Sequence, residues 1–220
     1  MQKKYNIIKL IEIITLGFAF PLIIIHFRLS NYIILFLWIV FIYTVIVYKT
    51  YYKGDTKTNF LSLLYTIKNN KYYIQYIFLR WFISSVALYF FTDILFPEKL
   101  FIIQKSDQKD LLYKILLFYP ILSAFPQEFI FCKFFFKRYL SLFNSEKKIV
   151  LMSSIIFCFA HIFVINWVAP LLGYIGGLIF ANTYRKTQSL FIVTLEHALY
   201  GNTLFFLGLG WFFWGGSVGY

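Results

Sequence analysis

The most constraining feature of this sequence is a series of apolar runs, each long enough to cross a lipid bilayer. A transmembrane helix needs about 20 mostly apolar residues. Seven such runs follow one another along the chain: 7–27, 32–48, 73–96, 111–136, 149–166, 167–184 and 189–207. Inside a bilayer the backbone must satisfy its own hydrogen bonds, so apolar runs of this length are helical. The sequence predicts an all-α, polytopic integral membrane helix bundle, a single domain over 1–220 with about seven transmembrane helices.

The composition excludes a soluble protein and argues against nucleic-acid binding. Hydrophobic residues make up 60% of the chain and charged residues only 14%, whereas charged residues make up about a quarter of a soluble domain. The net charge of +12 comes from Lys and Arg in short loops between apolar runs. We therefore expect membrane lipids with anionic headgroups as partners, and no nucleic acid.

The charge of the loops predicts the topology. The fourth run contains Pro120 and Pro126, which could kink one helix or divide the run into two short helices. With one crossing there, most of the 21 Lys and Arg residues fall on one side of the membrane, whereas division would move Lys137 and Arg138 to the other side. Because cytoplasmic loops are enriched in Lys and Arg, we predict one crossing, a cytoplasmic N-terminus and an external C-terminus. The aromatic tail, 208–220, would be an interfacial cap or an eighth element.

Several polar or ionisable residues lie inside these apolar runs: Gln127, Glu128, His161, Glu196 and His197. Such groups are costly in hydrocarbon and are kept mainly where they face the protein interior and act there. At about 1.5 Å of rise per residue, Glu128, His161 and His197 reach a similar depth on three different helices. The sequence therefore predicts a polar site near the middle of the membrane.

The three residues at this depth have the chemistry needed to hydrolyse a peptide bond. Glu128 could act as a general base towards water, and His161 and His197 could position that water and stabilise the oxyanion. Cys132 follows Glu128 by four residues, and His161 follows Phe157 by four, so each pair shares one helix face. The pattern therefore favours acid–base chemistry at a carbonyl.

Four other residues in the apolar runs carry less information about function. Gly173 and Gly177 have the GxxxG spacing, which predicts close packing of helices. Glu12 and Arg80 are charged residues within apolar runs, and the sequence reveals no role for them.

Three short segments resemble the motifs of a known family. QEFIFC at 127–132, FCFAH at 157–161 and HALYGN at 197–202 are similar to the motifs EExxxR, FxxxH and HxxxN of the CAAX protease and bacteriocin-processing (CPBP) membrane proteases. The segments occur in the family's order on the fourth, fifth and seventh predicted helices, within a motif region of about 111–207. The resemblance implies an α-helical membrane protein with intramembrane endopeptidase activity of the glutamic, CAAX prenyl protease type.

The resemblance also implies site residues, a substrate class and a location. It assigns catalysis to Glu128, His161 and His197, and oxyanion hydrogen bonds to Gln127 and Asn202. Phe157 and Cys132 occupy supporting motif positions. The implied substrate is a membrane-associated peptide or protein, prenylated or not, and the implied location is a bacterial plasma membrane.

The chain departs from the family motifs at three positions. Gln127 stands where the first motif has its first Glu, and an amide cannot take a proton from water. Cys132 stands where that motif has Arg. Gly201 stands where the third motif has Asn, with Asn202 one residue further along.

These departures leave other functions open. A non-catalytic member of the family, acting as a membrane binding protein or a bacteriocin-immunity protein, is the main alternative, and Gln127 and Cys132 favour it. A transporter with Glu128 as its proton site is disfavoured because no inverted repeat is visible. No compact ligand spacing such as HExxH is present, so we predict no metal or other cofactor, with zinc as the lesser alternative.

Overall fold

The helices follow one another with short connections. The computed structural model describes residues 2–52, 60–106 and 109–214, and contains no strand in those ranges. Helix α1 runs from Gln2–Ile14 through a π-helical turn into Phe20–His26. The others are α2 (Ile33–Tyr51), α3 (Phe60–Asn69), α4 (Lys71–Leu95), α5 (Lys109–Phe143), α6 (Glu146–Phe159), α7 (Val168–Thr187) and α8 (Leu190–Leu207). The prediction of an all-α membrane protein is confirmed.

Within the described residues, 6 helical segments are long and apolar enough to cross a membrane. They are Asn6–His26, Ser30–Tyr51, Lys71–Leu95, Lys109–Phe143, Glu146–Val164 and Leu190–Leu207. The predicted run 167–184 also forms a helix, α7, but α7 is not among these segments. The count of seven or eight crossings therefore stays a prediction. In the aromatic tail, Leu209–Phe213 forms a 3₁₀ turn, while 215–220 lies outside the described residues.

The fourth apolar run forms one unbroken helix, as the loop charges predict. Helix α5 has 35 residues and widens into π-helical turns at Pro120–Ala124 and Phe129–Phe134. Proline lacks a backbone N–H and clashes with the preceding turn of an α-helix, and a wider turn relieves that clash without ending the helix. Lys137 and Arg138 thus stay at the opposite end of α5 from Lys109.

A buried ion pair joins the N-terminal helix to the end of α5. Arg138 Nε donates to Glu12 Oε2 over 2.9 Å, and the hydroxyl of Tyr43 on α2 donates to Glu12 Oε1 over 2.7 Å. Glu12 and Arg138 are each 8% exposed, so the pair is shielded from water. This contact gives Glu12 a structural role that its sequence position does not reveal.

A second ion pair, between a partly exposed arginine and a buried glutamate, joins α4 to α8 beside the predicted site. Arg80 donates to Glu196 Oε1, and Thr183 Oγ1 on α7 donates to Glu196 Oε2 over 2.5 Å. Glu196 is fully buried. The carboxylate is therefore neutralised by a cation from a distant helix, and this explains the presence of Arg80 within an apolar run.

Glycines allow α7 to lie directly against α6, as the GxxxG spacing predicts. A Cβ at Gly177 would lie 2.9 Å from Ser154 Cα, and one at Gly173 would lie 3.2 Å from His161 Nδ1. The absence of side chains at these two positions brings the backbones together and leaves room for the ring of His161. The GxxxG pattern thus contributes to the geometry of the site.

Candidate active site

A carboxylate and an imidazole from different helices meet at the centre of the bundle. Glu128, on α5, is fully buried, and its Oε1 lies 2.6 Å from Nδ1 of His197 on α8. An ionised carboxylate only accepts hydrogen bonds, so with Glu128 ionised the Nδ1 of His197 carries the proton. The predicted convergence of Glu128 and His197 is therefore present in the structure.

Two further side chains contact the imidazole ring of His197. The hydroxyl of Tyr119 lies 2.9 Å from His197 Nε2. The ring of Phe180 stacks on the imidazole with centroids 4.4 Å apart and an interplanar angle of 15°. A neutral ring protonated at Nδ1 accepts the Tyr119 hydrogen at Nε2, whereas a protonated ring donates to the Tyr119 oxygen. In both states the ring orientation is fixed by contacts on three sides.

Tyr119 reaches His197 because residue 201 is a glycine. A Cβ at Gly201 would overlap the ring of Tyr119, so any side chain there would displace the tyrosine. Gly201 is also the position at which the third family motif has Asn. The glycine at this motif position is therefore the sequence signal that could have indicated Tyr119. Tyr119 was not predicted as a site residue.

Asn202, the predicted oxyanion donor, is placed elsewhere. Its Nδ2 donates to the backbone oxygen of Leu116 over 3.1 Å, linking α8 to α5, and Asn202 is not among the residues that line the cavity described below. One residue of displacement from the motif position turns a helical side chain by about 100°. The structure therefore does not bring Asn202 to the site with His197.

His161 lies just beyond the end of α6, where the helix gives way to a turn. Its Nδ1 lies 2.7 Å from the backbone oxygen of Phe157, and its ring centroid lies 4.7 Å from that of the Phe157 ring. Because a carbonyl oxygen only accepts, Nδ1 carries a proton, and in the neutral ring Nε2 keeps its lone pair. Among the described residues, no hydrogen-bond partner is found for that Nε2. Phe157 thus fixes His161 with an unpaired base at the cavity.

Gln127 lies one residue before Glu128 and makes a local hydrogen bond. Its Nε2 donates to Ser123 Oγ over 2.8 Å. Gln127 Oε1 and Glu128 Oε2 are buried and have no hydrogen-bond partner among the described residues. Because buried oxygens usually accept a hydrogen bond, Gln127 Oε1, which belongs to a residue of the cavity lining, is available to a polar group that enters the site.

A large cavity adjoins these residues. It has a volume of about 1170 Å³ and is lined mainly by apolar side chains of α1, α2, α4, α5, α7 and α8. Its polar lining residues include Tyr119, Gln127, His161 and His197, whereas Glu128 does not line it. Of the predicted catalytic residues, the two imidazoles therefore face the cavity and the carboxylate lies behind one of them.

The position of the family's arginine is apolar in this chain. Cys132 is 1% exposed, lies beside Glu128, and forms no disulfide. The next residue, Lys133, lies over the ring of Tyr48 at 5.3 Å. Cys132 carries no positive charge, and Lys133 contacts Tyr48, so neither residue replaces the family's arginine. The ionisable group in direct contact with the Glu128 carboxylate is His197.

A metal site would need several ligands close together. Among the described residues, no group of three His, Cys, Asp or Glu side chains is arranged to hold a metal ion. The sequence-based choice between no metal and zinc stays a prediction.

The comparisons with known proteins agree with the motifs. A family described as Rce1-like, type II CAAX prenyl endopeptidase Rce1-like, has a model that matches residues 109–203. That segment contains α5, α6, α7 and most of α8, and it includes all three predicted motifs. Nothing matches the chain in comparisons with curated proteins and with solved structures. Residues 109–203 are therefore similar to the Rce1-like family of type II CAAX prenyl endopeptidases, and this match supports the resemblance of the three motifs to those of the CAAX protease-like membrane proteases.

Proposed function

We propose that this protein is an intramembrane endopeptidase that hydrolyses a peptide bond in a membrane-associated peptide or protein. The observation that carries the proposal is the meeting of the Glu128–His197 pair with His161 beside one cavity. The match of residues 109–203 to the Rce1-like family model supports a protease at a coarser level. The substrate, prenylated or not, would lie in a bacterial plasma membrane.

His161 is suited to activate water. Its Nε2 has a free lone pair in the neutral ring, and its Nδ1–H is bound to the Phe157 oxygen. In the proposed step, the oxygen of a water molecule bonds to the carbonyl carbon while His161 Nε2 takes one of the water's protons. The same nitrogen then gives this proton to the leaving amine as the carbon–nitrogen bond breaks. No resident metal is required.

Glu128 has an indirect role in this proposal. The sequence suggests that Glu128 is the general base, but its carboxylate is fully buried behind His197. We therefore assign it the role of orienting His197 and stabilising the positive charge of that ring. In the ion pair, His197 Nε2 donates to the oxygen of Tyr119, and the hydroxyl hydrogen of Tyr119 is free for the substrate.

Tyr119 and Gln127 are the proposed oxyanion donors. Both line the cavity, and each has a hydrogen that can be directed at a carbonyl oxygen as negative charge develops there. This arrangement would do without Asn202, whose amide is used between helices. Gln127 thus keeps the role that the family resemblance gave it, and Tyr119 takes the role predicted for Asn202.

The proposal is tested by comparing peptide termini in membrane fractions of host cells. The cells would express the wild type, His161→Ala or Glu128→Gln at matched levels. We expect new termini with the wild type and their loss in both variants. His26→Ala is the matched control, because His26 is exposed at the end of α1 and does not line the cavity.

A non-catalytic binding or immunity protein is the second candidate function. Gln127 and Cys132, which stand where the first motif has Glu and Arg, favour it. In that case the wild-type and variant profiles would coincide, while the variants would still lose a cellular phenotype. This outcome would contradict the endopeptidase proposal.

A further inference from the structure

The two ends of the helix bundle differ strongly in charge. The basic end comprises the end of α2, the start of α4, the α5–α6 connection and the end of α7. Its described cations are Lys49, Lys68, Lys71, Lys137, Arg138, Lys147, Lys148, Arg185 and Lys186. The opposite end carries Arg28, Lys99, Lys105, Lys109 and Lys114, together with the acidic residues Asp93, Glu98 and Asp110. Only one end of the bundle is therefore strongly basic.

Hydrogen bonds between the connections at the less basic end show that they form one continuous surface. The amide of Phe101 donates to the oxygen of Leu207, and Gln104 donates to the oxygen of Phe206. Asn166 donates to the oxygen of Phe212. These bonds join the α4–α5, α6–α7 and C-terminal connections, which define the less basic end.

The cavity extends from the two imidazoles to this less basic end. Its lining there includes Ile33, Ile102, Lys114, Leu204 and Trp214. None of the cations of the basic end lines it.

The half of the bundle between the site and the basic end is filled. Phe134, Phe136, Tyr139, Ile149 and Tyr184 belong to one buried cluster there. The described structure therefore contains an open volume on one side of the imidazoles and a packed core on the other.

We propose that substrate reaches the site from the extracytoplasmic side, and that the substrate is an apolar extracytoplasmic segment of a membrane-anchored polypeptide. Loops rich in Lys and Arg stay in the cytoplasm, so the basic end faces the cytoplasm and the cavity faces away from it. Cleavage rests on the function proposed above, whereas the side of access rests on charge and cavity position alone.

The shape and lining of the cavity fit an apolar stretch of polypeptide. Its volume of about 1170 Å³ is larger than the ~300–1,000 Å³ typical of small-molecule sites. Among the residues that the structure describes, Lys114 is the one Lys or Arg in the cavity lining, so the charge that the cavity offers is small. A highly charged ligand would leave most of its charges facing apolar walls.

Cysteine labelling in intact cells tests the side of access without requiring cleavage. Single cysteines would replace Ser84 and Lys114 in the cavity lining, Glu98 at the exposed less basic end, and Gln188 at the exposed basic end. The probe is a small charged methanethiosulfonate that does not cross membranes. Labelling is measured above that of the unsubstituted chain, in which Cys132 is buried and Cys158 is partly exposed.

We expect Ser84→Cys, Lys114→Cys and Glu98→Cys to react in intact cells, and Gln188→Cys to react only after permeabilisation. The reverse pattern would overturn the inference and would leave the proposed endopeptidase activity standing. If a cavity variant fails to accumulate, the two exposed positions still report which end faces outwards. A cavity labelled from outside in a protein that cuts no peptide would support the side of access and contradict the proposed function.

Discussion

At the residue scale, the position of His197 depends on a pairing between Tyr119 and Gly201. The tyrosine hydroxyl is 2.9 Å from His197 Nε2, and its ring occupies the space that a side chain at 201 would fill. Gly201 thus leaves room for the Tyr119 ring, and in the proposed mechanism Tyr119 takes the oxyanion-donor role that the family resemblance assigns to Asn202. This substitution of one donor for another leads to two predictions.

Removing the Tyr119 hydroxyl should slow the chemical step. For Tyr119→Phe we expect kcat to fall about 100-fold with little change in KM, which is the effect of losing one oxyanion donor. The ring is kept, so the packing against Gly201 is kept as well. Tyr113→Phe is the control, since Tyr113 lies on the same helix with 70% of its surface exposed. An unchanged kcat in Tyr119→Phe would contradict the proposed role.

Adding a methyl group at residue 201 should destabilise the protein through Tyr119. Gly201→Ala would place a Cβ inside the tyrosine ring, and overpacking of this kind costs about 1–3 kcal/mol. The unfolding midpoint in detergent measures this cost. In a Tyr119→Ala background the same change should cost much less, because the obstructing ring is gone. Equal costs in the two backgrounds would show that the two residues are not coupled.

The sequence could predict part of this site. Glu128, His161 and His197 stand out because ionisable residues are rare in apolar runs, and the helical rise brings them to a common depth. Tyr119 does not stand out, because it is one of 18 tyrosines and its partner is 78 residues away. The sequence also could not predict which group Asn202 contacts, because its amide donates to a backbone oxygen on another helix, α5.

At the element scale, the contact between α4 and α8 includes an ion pair whose carboxylate is fully buried and whose arginine is partly exposed. Arg80 neutralises Glu196, and Thr183 on α7 completes the contact. Removing the cation would leave a carboxylate buried with one neutral hydrogen-bond donor. The pair is therefore expected to matter more for stability than an exposed ion pair.

Arg80→Met should be strongly destabilising. We expect a loss of about 3–5 kcal/mol in the free energy of unfolding, as for the loss of one partner of a buried ion pair. Arg185→Met is the control, because its partner Glu146 has a side chain that is 65% exposed and exposed pairs contribute about 0–1 kcal/mol. Equal effects, measured by unfolding in detergent, would mean that Glu196 does not depend on Arg80.

The helices themselves were more predictable than their distortions. Loop charge predicts that α5 is one helix despite Pro120 and Pro126, and the structure confirms it. The π-helical turns in α5 were not predicted, because a proline can be accommodated in several ways and packing selects among them. The Arg80–Glu196 pair was missed for a similar reason: its partners are 116 residues apart.

At the scale of the whole molecule, the fold concentrates polar groups at the inner part of an otherwise apolar cavity. Apolar runs and loop charges predict an all-α bundle, but they do not predict which half of it is open. That depends on how aromatic side chains such as Phe136 and Tyr184 pack together near the basic end.

Removal of metal ions should not affect the activity. Because the proposed step uses an imidazole as the base, a strong zinc chelator should leave the cleavage rate of the purified protein unchanged. The measurement compares rates before and after chelation. A loss of activity that added Zn²⁺ restores would contradict the proposed mechanism and favour the zinc alternative.

The central claim is that Glu128, His161 and His197 together direct water at a peptide bond. The most direct test incubates the reconstituted protein with solubilised membrane proteins in heavy-oxygen water and identifies new C-termini by mass spectrometry. We predict that the wild type produces C-termini carrying the heavy oxygen, and that Glu128→Gln, His161→Ala and His197→Ala each remove them. Wild-type levels of heavy-oxygen C-termini in these variants, or none in the wild type, would contradict the claim.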